Sequence, residues 1–542
     1  MSKLGKIGLY VNTVKHLKPS QVFYRIWRKA GGNTCLKPFY TSKPDVAKAN
    51  IAAIPVLPEL DFDPAFISRF DVDAILQDRI ELLHHEEKVD WEESWHDSLS
   101  TPLWRFNLHY CEYLLPLAKV YKDCSDECYL DKGKAIIDSW ISNCPIEKGG
   151  AAWDSYTISM RIVNWIAFYG ELADELQQDT AFVKRFNDSL AQQFVVLSNH
   201  LEVDLLANHY LEDLKALTLL ACYFNDEKTF ELVLPRLYGQ IEEQILPDGM
   251  HFELSPMYHK IVFEDLLRVA TTLHKRGKSG IAEKFRLQDM ADCLYSMERH
   301  TNRTPLFNDS GDNVAKSRDA LLQCVKLRFG IEPVFKSVLP DAGYCILERE
   351  TAAGYVKVIF DAGMPGPKYA MGHVHCDALS FECFVNDEPW IVNCGTYAYQ
   401  GESRLEYKKT LSHSTVMVNG VEQHECWAPF RVARYSTAEI LNASAYNAKG
   451  RFIYPDNKTG IQREIAISDS KITICDTSVG NLVSGAFTFA MNCPCGGDAT
   501  SVRYTPDFGS ICNAFRTINS DEGKLETSFS FLDVAKGAES HG

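Results

Sequence analysis

The stretch Gly372-His373-Val374-His375-Cys376-Asp377 concentrates side chains that could do chemistry. Alternate residues of a β-strand point to the same face, so a strand here would present His373, His375 and Asp377 together. Two imidazoles and a carboxylate on one face are suited to holding a divalent metal ion or to sharing a proton transfer. A lone histidine is usually structural, but three titratable groups at this spacing favour a functional interpretation.

A second group lies in the segment Asn208-His209-Tyr210-Leu211-Glu212. On a helix, His209 and Glu212 are three residues apart and share a face, so the carboxylate could orient the imidazole. The pattern leaves open an alternative, a solvated helix start that Asn208 caps.

Tyr258 and His259 follow residues 246–256, whose Pro and Gly residues predict a loop that leads into a helix. A tyrosine with a pKa of about 10 is a poor base at neutral pH unless a cation or metal stabilises its phenolate. Taken alone, such a tyrosine is also typical of a packed aromatic residue.

Aromatic and polar residues are interleaved in residues 152–165. Trp153 and Tyr156 could stack on sugar rings, and Arg161 could pair with a carboxylate or sulfate. The alternative is a buried helix with an internal ion pair. Further along the chain, Tyr399 and Arg404 follow the HxHxD stretch as candidates for substrate contact, and Trp427, Phe430 and Arg431 could form another aromatic and basic edge.

The apolar pattern changes near residue 335. Before it, helical spacing predicts about nine antiparallel helices arranged as an (α/α) toroid, at residues 111–121, 130–141, 156–172, 181–201, 211–224, 230–245, 258–274, 281–297 and 320–329. After it, segments rich in Val, Ile, Phe, Tyr and Thr predict an antiparallel β-sandwich, at residues 355–360, 380–385, 415–418 and 471–475. We predict an N-terminal helical or extended arm at 1–90, the toroid at 91–335 and the sandwich at 336–542.

The composition of the 542 residues narrows the function classes. A net charge of −16 disfavours general binding to nucleic acids or to anionic membranes. The 17 cysteines follow no repeated spacing, which indicates free thiols in a reducing compartment. No secretory signal is recognised, and no window approaches the roughly 18 apolar residues of a membrane span. We expect a cytoplasmic protein without membrane insertion, with a periplasmic location as the alternative.

Taken together, these segments resemble the heparinase II/III family of polysaccharide lyases, from about residue 100 to about residue 435. The motifs that carry the resemblance are Asn208-His209, Ser255-Pro256-Met257-Tyr258-His259, the HxHxD stretch (residues 373–377) and the segment around His413, in the order that the family has them. The resemblance implies an (α/α) toroid followed by a β-sandwich. It also implies that an acidic poly- or oligosaccharide is cleaved by β-elimination, which leaves a C4–C5 unsaturated uronate.

The resemblance further implies roles for individual residues. The C5 proton of a uronate becomes acidic only when the adjacent carboxylate is neutralised. By analogy, Asn208 and His209 are the neutralisers and Glu212 orients them. Tyr258 is the acid that protonates the departing O4, and for some uronate epimers also the base, while His373 is the base on the opposite face of the sugar. The other expected substrate contacts are Trp153, Tyr156, Arg161, Glu212, His259, Tyr399 and Arg404.

Some members of the family hold a structural zinc, whose ligands correspond here to His375, Asn393 and His413. Asn393 departs from the pattern, since a neutral amide is a poor zinc ligand where an aspartate is usual. We expect that the chemistry requires no cofactor. A zinc that is weak, or completed by Asp377 or water, is the alternative.

Three other functions stay open. The HxH pattern also occurs in amidohydrolases, but there it lies early in a (β/α) barrel. A glycoside hydrolase needs two carboxylates that flank the bond, for which Glu253 and Asp309 are candidates. The third is a non-catalytic glycan-binding protein of cell-surface polysaccharide assembly or remodelling, against which Tyr258 and His373 argue because binding needs no proton-transfer pair.

Overall fold

The computed structural model describes residues 3–32, 34, 43–96, 101–301, 303–401, 403–490 and 499–531. Helices predominate up to Phe329, and antiparallel strands predominate from Val338 onwards. This order of a helical part and a strand part is the one that the sequence predicts. The closed toroid, the two-layered sandwich and the domain boundaries stay predictions.

Short helices and one hairpin precede the main helical part. They are α1 (Lys3–Val14), α2 (Pro19–Lys29), α3 (Pro58–Asp61), α4 (Pro64–Ile67), α5 (Val72–Leu76), β1 (Arg79–Leu82) and β2 (His85–Lys88). Helix α2 begins at Pro19, a position where the missing N–H of proline removes no helical hydrogen bond. Gln21 is buried, and its Nε2 donates to the carbonyl oxygens of Leu205 and Tyr369. It therefore attaches α2 to both parts of the protein.

The helical part continues with longer elements. They are α6 (Pro102–Tyr110), α7 (Leu114–Cys124), α8 (Glu127–Asn143), α9 (Ser155–Glu171), α10 (Ala173–Leu176), α11 (Thr180–Asn199), α12 (Ala207–Tyr223), α13 (Glu227–Gln244), α14 (Pro256–Lys275), α15 (Ile281–Lys284), α16 (Leu287–Glu298) and α17 (Arg318–Phe329). Residues 281–297, predicted as one helix, form two, because Arg286 has a left-handed backbone (φ 55°) that ends the helical path. Within the described residues, no helix is long and apolar enough to span a membrane.

Helix α12 occupies the centre of the helical part. It packs against α9, α13 and α14, and apolar residues on several of its sides, among them Leu211, Leu214 and Leu217, have no exposed surface. A helix that is apolar on all sides belongs in a core. The body of α12 is therefore fixed in the core, and Asn208 and His209 lie at its start.

The strand part is built around a 12-stranded sheet. Its strands and the neighbouring elements are β3 (Val338–Leu339), β4 (Tyr344–Thr351), β5 (Gly354–Asp361), β6 (Phe381–Val385), β7 (Glu388–Val392), α18 (Ser403–Tyr407), β8 (Val416–Val418), β9 (Cys426–Ala428), β10 (Arg431–Val432), β11 (Ala438–Ala443), β12 (Asn447–Ile453), β13 (Gly460–Ile467), β14 (Lys471–Phe489), β15 (Thr500–Tyr504) and β16 (Cys512–Ser530). The order β11-β12-β13-β14-β7-β6-β5-β4-β3 forms the main path. Strands β8 and β16 pair with β14, and β15 pairs with β16. Every pairing between these strands is antiparallel.

The HxHxD stretch is not a strand, and the prediction of alternating faces was wrong. Residues Met371–His373 form a 3-10 turn, the following residues are irregular, and β6 begins only at Phe381. The three titratable side chains are therefore placed by tertiary contacts and not by strand alternation. The backbone N–H of His375, for example, donates to Asn308 Oδ1 at 3.0 Å.

Residues 303–317, between α16 and α17, connect the helical part to the strand part. The N–H of Leu306 donates to Glu382 Oε2 and that of Asn308 to Asp377 Oδ2, at 3.0 and 2.9 Å. Asp377 is thus used to hold this loop. The same contacts place Asp309 beneath the 3-10 turn that carries His373.

Candidate active site

A cleft of about 1060 Å³ lies between the helical part and the strand part. Helices α6, α9, α12 and α14 form one side, and His373, Phe430 and residues 397–401 of the strand part contribute the other. The residues predicted as functional that line it are Tyr156, Asn208, His209, Tyr258, His373 and Tyr399. Motifs far apart in the sequence therefore meet at one surface.

The start of α14 presents Tyr258 to this cleft. Ser255 caps the helix, with its Oγ accepting from the Tyr258 N–H at 3.2 Å, and Pro256 occupies the first helical position. The Ser255 hydroxyl also donates to the Asp309 carbonyl oxygen at 2.6 Å. The capping residue therefore fixes Tyr258 relative to the loop that carries Asp309.

The surroundings of Tyr258 suit a proton donor. Its hydroxyl lies 2.7 Å from that of Tyr399, and its ring centroid lies 4.3 Å from that of His373. Burial raises the pKa of Tyr258 well above its usual value, and the neighbouring Tyr399 hydroxyl adds to this. The phenol is consequently protonated at neutral pH, because no adjacent cation overcomes the effect of burial.

His373 is oriented by a buried carboxylate. Its Nδ1 lies 2.8 Å from Asp309 Oδ2. Burial by itself would raise the pKa of Asp309, but the Arg404 guanidinium, with His373 and His375, holds it well below the usual range. The ionised Asp309 accepts the Nδ1–H of His373, so Nε2 is the ring nitrogen that can exchange a proton with a ligand. No described residue forms a hydrogen bond with that nitrogen.

The contact between Tyr258 and His373 corrects one expected arrangement. The resemblance implies a base on the face of the sugar opposite to the acid. A pyranose cannot fit between two rings whose centroids are 4.3 Å apart. The two rings therefore belong to one wall of the cleft.

His209 supplies positive charge to the cleft. Its Nδ1 lies 3.1 Å from Glu202 Oε2, and its ring lies beside that of Tyr156, with centroids 4.8 Å apart. Burial lowers the pKa of His209, but the Glu202 carboxylate outweighs burial and the pKa is raised to about 9. The imidazole is therefore a cation at neutral pH.

Glu212 does not orient His209, contrary to the prediction. Glu212 is buried and pairs with Lys215, whose Nζ also lies 2.6 Å from Asp265 Oδ1. The i, i+3 spacing on α12 thus serves an internal ion pair. The partner of His209 is instead Glu202, in the turn that precedes the helix.

Asn208 is the second residue of α12 and not its cap. Its Nδ2 donates to Glu253 Oε2 at 2.8 Å, which joins the start of α12 to the loop before α14. Its Oδ1 is buried and has no hydrogen-bond partner among the described residues. A buried polar atom that is left unpaired costs free energy, so this amide favours a ligand with a matching polar group.

Left-handed backbone conformations cluster at the site. Leu206 and Ala207 (φ 63° and 53°) precede Asn208, Leu254 (φ 56°) precedes the Ser255 cap, and Asn308 (φ 53°) precedes Asp309. Positive φ is uncommon outside glycine and costs about 1–3 kcal/mol at a residue with a side chain. Such strain, observed in segments that carry Asn208, Tyr258 and Asp309, is characteristic of functional sites.

Five predicted substrate contacts lie outside the walls that the described residues form around the cleft: Trp153, Arg161, Glu212, His259 and Arg404. Arg161 is buried and donates to Gln193 Oε1 and to the Ala152 carbonyl oxygen, at 3.0 and 2.9 Å. Its guanidinium also lies over the Trp140 ring. Arg161 therefore stabilises the interior, through neutral acceptors and not through an ion pair.

The other displaced residues also have structural partners. Trp153 Nε1 donates to the Cys144 carbonyl oxygen at 3.0 Å, and His259 is buried with Nε2 at 3.2 Å from the Met290 carbonyl oxygen. Arg404 is buried and its guanidinium forms a bidentate pair with Asp309, with Nη2 at 2.6 Å from Oδ2. Arg404 acts on the site through Asp309.

The proposed zinc ligands fit a metal only in part. The rings of His375 and His413 face each other, with centroids 5.1 Å apart, and His375 Nδ1 and both nitrogens of His413 are buried without a hydrogen-bond partner. The third ligand does not fit, since Asn393 Oδ1 is a neutral oxygen that already accepts the Ser414 N–H at 3.0 Å. Among the described residues no group of three His, Cys, Asp or Glu could hold a metal ion. The zinc stays a prediction.

Three carboxylates position the site in roles that the sequence did not predict. Glu202 lies outside α12, so helix geometry does not relate it to His209, and no local signal identifies it. Asp309 and Glu253 were considered as a glycosidase pair, but both are buried, outside the cleft walls, and bonded to His373 and Asn208 respectively. This placement contradicts a pair of carboxylates that flank a scissile bond.

Similar proteins were found by comparison of sequences. Residues 44–329 match the family described as heparinase II/III N-terminus, and residues 336–488 match the family described as heparinase II/III-like, C-terminal. The heparin-sulfate lyase of Pedobacter heparinus is 22% identical over 376 residues, 63% of this chain and 56% of that protein. The heparin-sulfate lyase of Bacteroides thetaiotaomicron is 24% identical over 322 residues, 54% of this chain and 45% of that protein. The chain spans about half the length of the curated relatives it matches.

Solved structures with a similar fold include heparinase III, with a TM-score of 0.65 at 15% identity over 94% of this chain and 92% of that one. The heparan sulfate lyase HepC from Pedobacter heparinus has a TM-score of 0.54 at 16% identity, over 94% of this chain and 86% of that one. At these identities the likeness concerns the fold. Because the two family matches together cover most of its length, the chain belongs to the heparinase II/III family.

Proposed function

We propose that the chain is a polysaccharide lyase that cleaves a uronate-containing glycan by β-elimination. The observation that carries the proposal is the contact between Tyr258 and His373 at the cleft. One ring is a protonated phenol, and the other presents a free Nε2 because Asp309 holds its Nδ1. An acid and a base in contact are the groups that this elimination requires.

The carboxylate of the uronate binds at His209 and at the second Nδ2–H of Asn208, the one that Glu253 does not accept. The cationic imidazole of His209 neutralises its charge and stabilises the enediolate that develops when C5 loses its proton. Glu202 keeps the imidazole charged, and Glu253 holds the Asn208 amide in place.

The elimination uses both rings. His373 Nε2 takes the C5 proton, the electrons of the C5–H bond form the C4=C5 double bond, and the C4–O4 bond breaks. The Tyr258 hydroxyl gives its proton to the departing O4. Transfer of the proton from the His373 imidazolium to the Tyr258 phenolate then restores both groups, which their contact permits.

The same contact favours one class of uronate. When acid and base lie on the same side of the sugar, the C5–H and C4–O4 bonds must leave from the same face. Glucuronate has this arrangement, and its C5 epimer iduronate does not. We therefore infer a preference for glucuronate in a glycosaminoglycan, in keeping with the heparin-sulfate lyases among the relatives.

The test is to incubate the purified protein with heparosan, heparan sulfate, chondroitin, hyaluronan, alginate and glucuronan, and to follow the ultraviolet absorbance of the unsaturated uronate. We expect product from a glucuronate glycan. Tyr258→Phe should lower kcat by about 10²- to 10⁴-fold while the affinity for an oligosaccharide is kept. A matched control is Tyr223→Phe. Tyr223 lies at the far end of α12, and its buried hydroxyl donates to Asn187 Oδ1.

Two results would contradict the proposal. If Tyr258→Phe and Tyr223→Phe had the same kcat, Tyr258 would not be the acid. If no glycan gave product but one still bound, the chain would be a glycan-binding protein without lyase activity.

A further inference from the structure

Helices α1 and α2 turn apolar side chains outward. The exposed residues are Ile7, Tyr10, Val11 and Val14 on α1 and Phe23, Ile26 and Trp27 on α2. Ile26 is 65% exposed and Val11 is 61% exposed. Single exposed apolar residues are normal, but a group of seven in two consecutive helices indicates an interaction surface.

The spacing shows that each set occupies one face of its helix. Positions 7, 10, 11 and 14 repeat as i, i+3, i+4 and i+7, and positions 23, 26 and 27 repeat as i, i+3 and i+4. The opposite faces bind the body of the protein, with Leu9 of α1 and Gln21 of α2 both buried. Each helix therefore has one face that is attached to the body of the protein and another that is apolar and exposed.

Polar contacts fix both helices in this orientation. Thr13 Oγ1 of α1 accepts from Trp427 Nε1 at 3.0 Å and donates to the Val432 carbonyl oxygen at 3.3 Å. In α2, Arg28 forms an ion pair with Asp204 at 3.1 Å. The outward apolar faces are therefore a consequence of specific docking on the body.

The same segment has a charge opposite to that of the whole protein. Residues 1–30 contain no Asp or Glu, whereas the chain has a net charge of −16. Their basic residues are Lys3, Lys6, Lys15, Lys18, Arg25, Arg28 and Lys29. Lys6, Arg25 and Lys29 are exposed, and none of them forms an ion pair with a described residue.

We propose that α1 and α2 form a docking surface that binds an anionic lipid bilayer, with both helices lying in the interface. Exposed apolar faces would enter the headgroup region, and the adjacent Lys and Arg side chains would attract acidic lipid headgroups. Tyr10 and Trp27 are aromatic types that are enriched at membrane interfaces. The anionic bilayer repels the acidic remainder of the protein. This repulsion favours an orientation with α1 and α2 toward the lipid.

Charge also favours a lipid bilayer over a second copy of the chain as the partner of this docking surface. A two-fold contact through this docking surface would bring each basic segment against its counterpart, and like charges across an interface oppose association. An anionic bilayer complements both properties of the surface.

The experiment is flotation of the full chain with vesicles of phosphatidylglycerol and phosphatidylethanolamine, and with vesicles of phosphatidylcholine alone. We expect binding to the first that weakens with salt, and at least about tenfold weaker binding to the second. Val11→Ser with Ile26→Ser should reduce binding to the anionic vesicles about tenfold or more. The control is Val479→Ser with Leu327→Ser, which removes two exposed apolar side chains elsewhere.

A second pair of variants tests the charge. Arg25→Glu with Lys29→Glu should reduce binding by about tenfold or more, whereas Lys458→Glu with Lys471→Glu, exposed lysines of the strand part, should have no effect. All variants should melt at the same temperature and keep glycan turnover, because none touches the cleft. Absence of binding to anionic vesicles, or equal loss in test and control variants, would overturn the proposal. So would a dimer in solution that Val11→Ser with Ile26→Ser dissociates.

Discussion

The imidazole of His209 is bound by Glu202, with Nδ1 3.1 Å from Oε2, although Glu202 lies seven residues earlier and outside α12. Burial of a histidine ring normally favours its neutral form. The carboxylate reverses this effect and raises the pKa of His209 to about 9. A positive charge is therefore built into the cleft, where the proposed substrate would place its uronate carboxylate.

We expect activity to fall on the alkaline side as His209 loses its proton near pH 9. Glu202→Gln should move this alkaline limb of kcat/KM down by about 1–3 pH units, because the imidazolium loses its counter-charge. The control is Glu212→Gln, which removes a carboxylate on the same helix that does not contact His209. If both variants moved the limb equally, Glu202 would not be the partner.

The same pairing has a consequence for stability. The folded-state pKa of His209 lies above the value of about 6.5 for an unfolded chain, so the ion pair stabilises the fold fully below that pH. This contribution is lost as the pH rises from about 6.5 to about 9. We expect the difference in melting temperature between wild type and Glu202→Gln to shrink over that window, measured by thermal unfolding at several pH values.

Asp309→Asn should lower kcat by about 10²- to 10⁴-fold, because His373 loses the acceptor that fixes its Nδ1–H and Arg404 loses its counter-charge. The variant should also be less stable, since breaking a buried ion pair costs about 3–5 kcal/mol. Asp476→Asn is the matched control, as it breaks the buried pair with Arg463 in the strand part. A loss of kcat as large in the control as in Asp309→Asn would mean that stability, and not positioning, explains the effect.

Asn393→Asp should raise the affinity for zinc by about tenfold or more, because it adds a carboxylate beside two imidazoles with free nitrogens. Metal content after dialysis against zinc measures this directly. Asn393→Asp with His413→Ala is the control, and it should return the metal content to that of the wild type. Equal zinc content in wild type and Asn393→Asp would show that the Asn393 amide does not weaken zinc binding.

Arg161→Met should leave KM for a glycan within about twofold but destabilise the fold by about 1–3 kcal/mol, since the acceptors of Arg161 are buried and would be left unpaired. Tyr156→Ala, in the cleft, should instead raise KM. Denaturant unfolding and substrate titration of both variants separate the two roles. A large rise in KM in Arg161→Met would return Arg161 to the substrate site.

Much of the fold could be predicted because it follows from local patterns. Period-3.6 apolar spacing identifies α9, α11 and α14, and the segment 380–385 is confirmed as β6 to within one residue. The seven expected substrate contacts, Arg161 among them, follow from spacing or from residue type alone. Spacing cannot tell which face of a helix meets the cleft, so Arg161 and Glu212 were assigned to substrate although both are buried.

The remaining parts of the site depend on contacts between distant segments. His373 takes its orientation from Asp309, 64 residues earlier, and Asn208 takes its from Glu253, 45 residues later. A strand was predicted for the HxHxD stretch because alternation is a local rule, whereas the observed irregular path is set by the loop around Asn308. Only the tertiary structure reveals these partners.

The left-handed residues Leu206, Ala207, Leu254 and Asn308 have a consequence for the order in which the molecule opens. A backbone that is strained locally is held only by its neighbours, so its amides should exchange with solvent deuterium sooner than those in the middle of α12, such as Leu214 and Leu217. Folding should likewise complete the cleft last, after the helical core has formed. When the structure fluctuates, the segments that carry the proposed chemistry should thus open before the middle of α12.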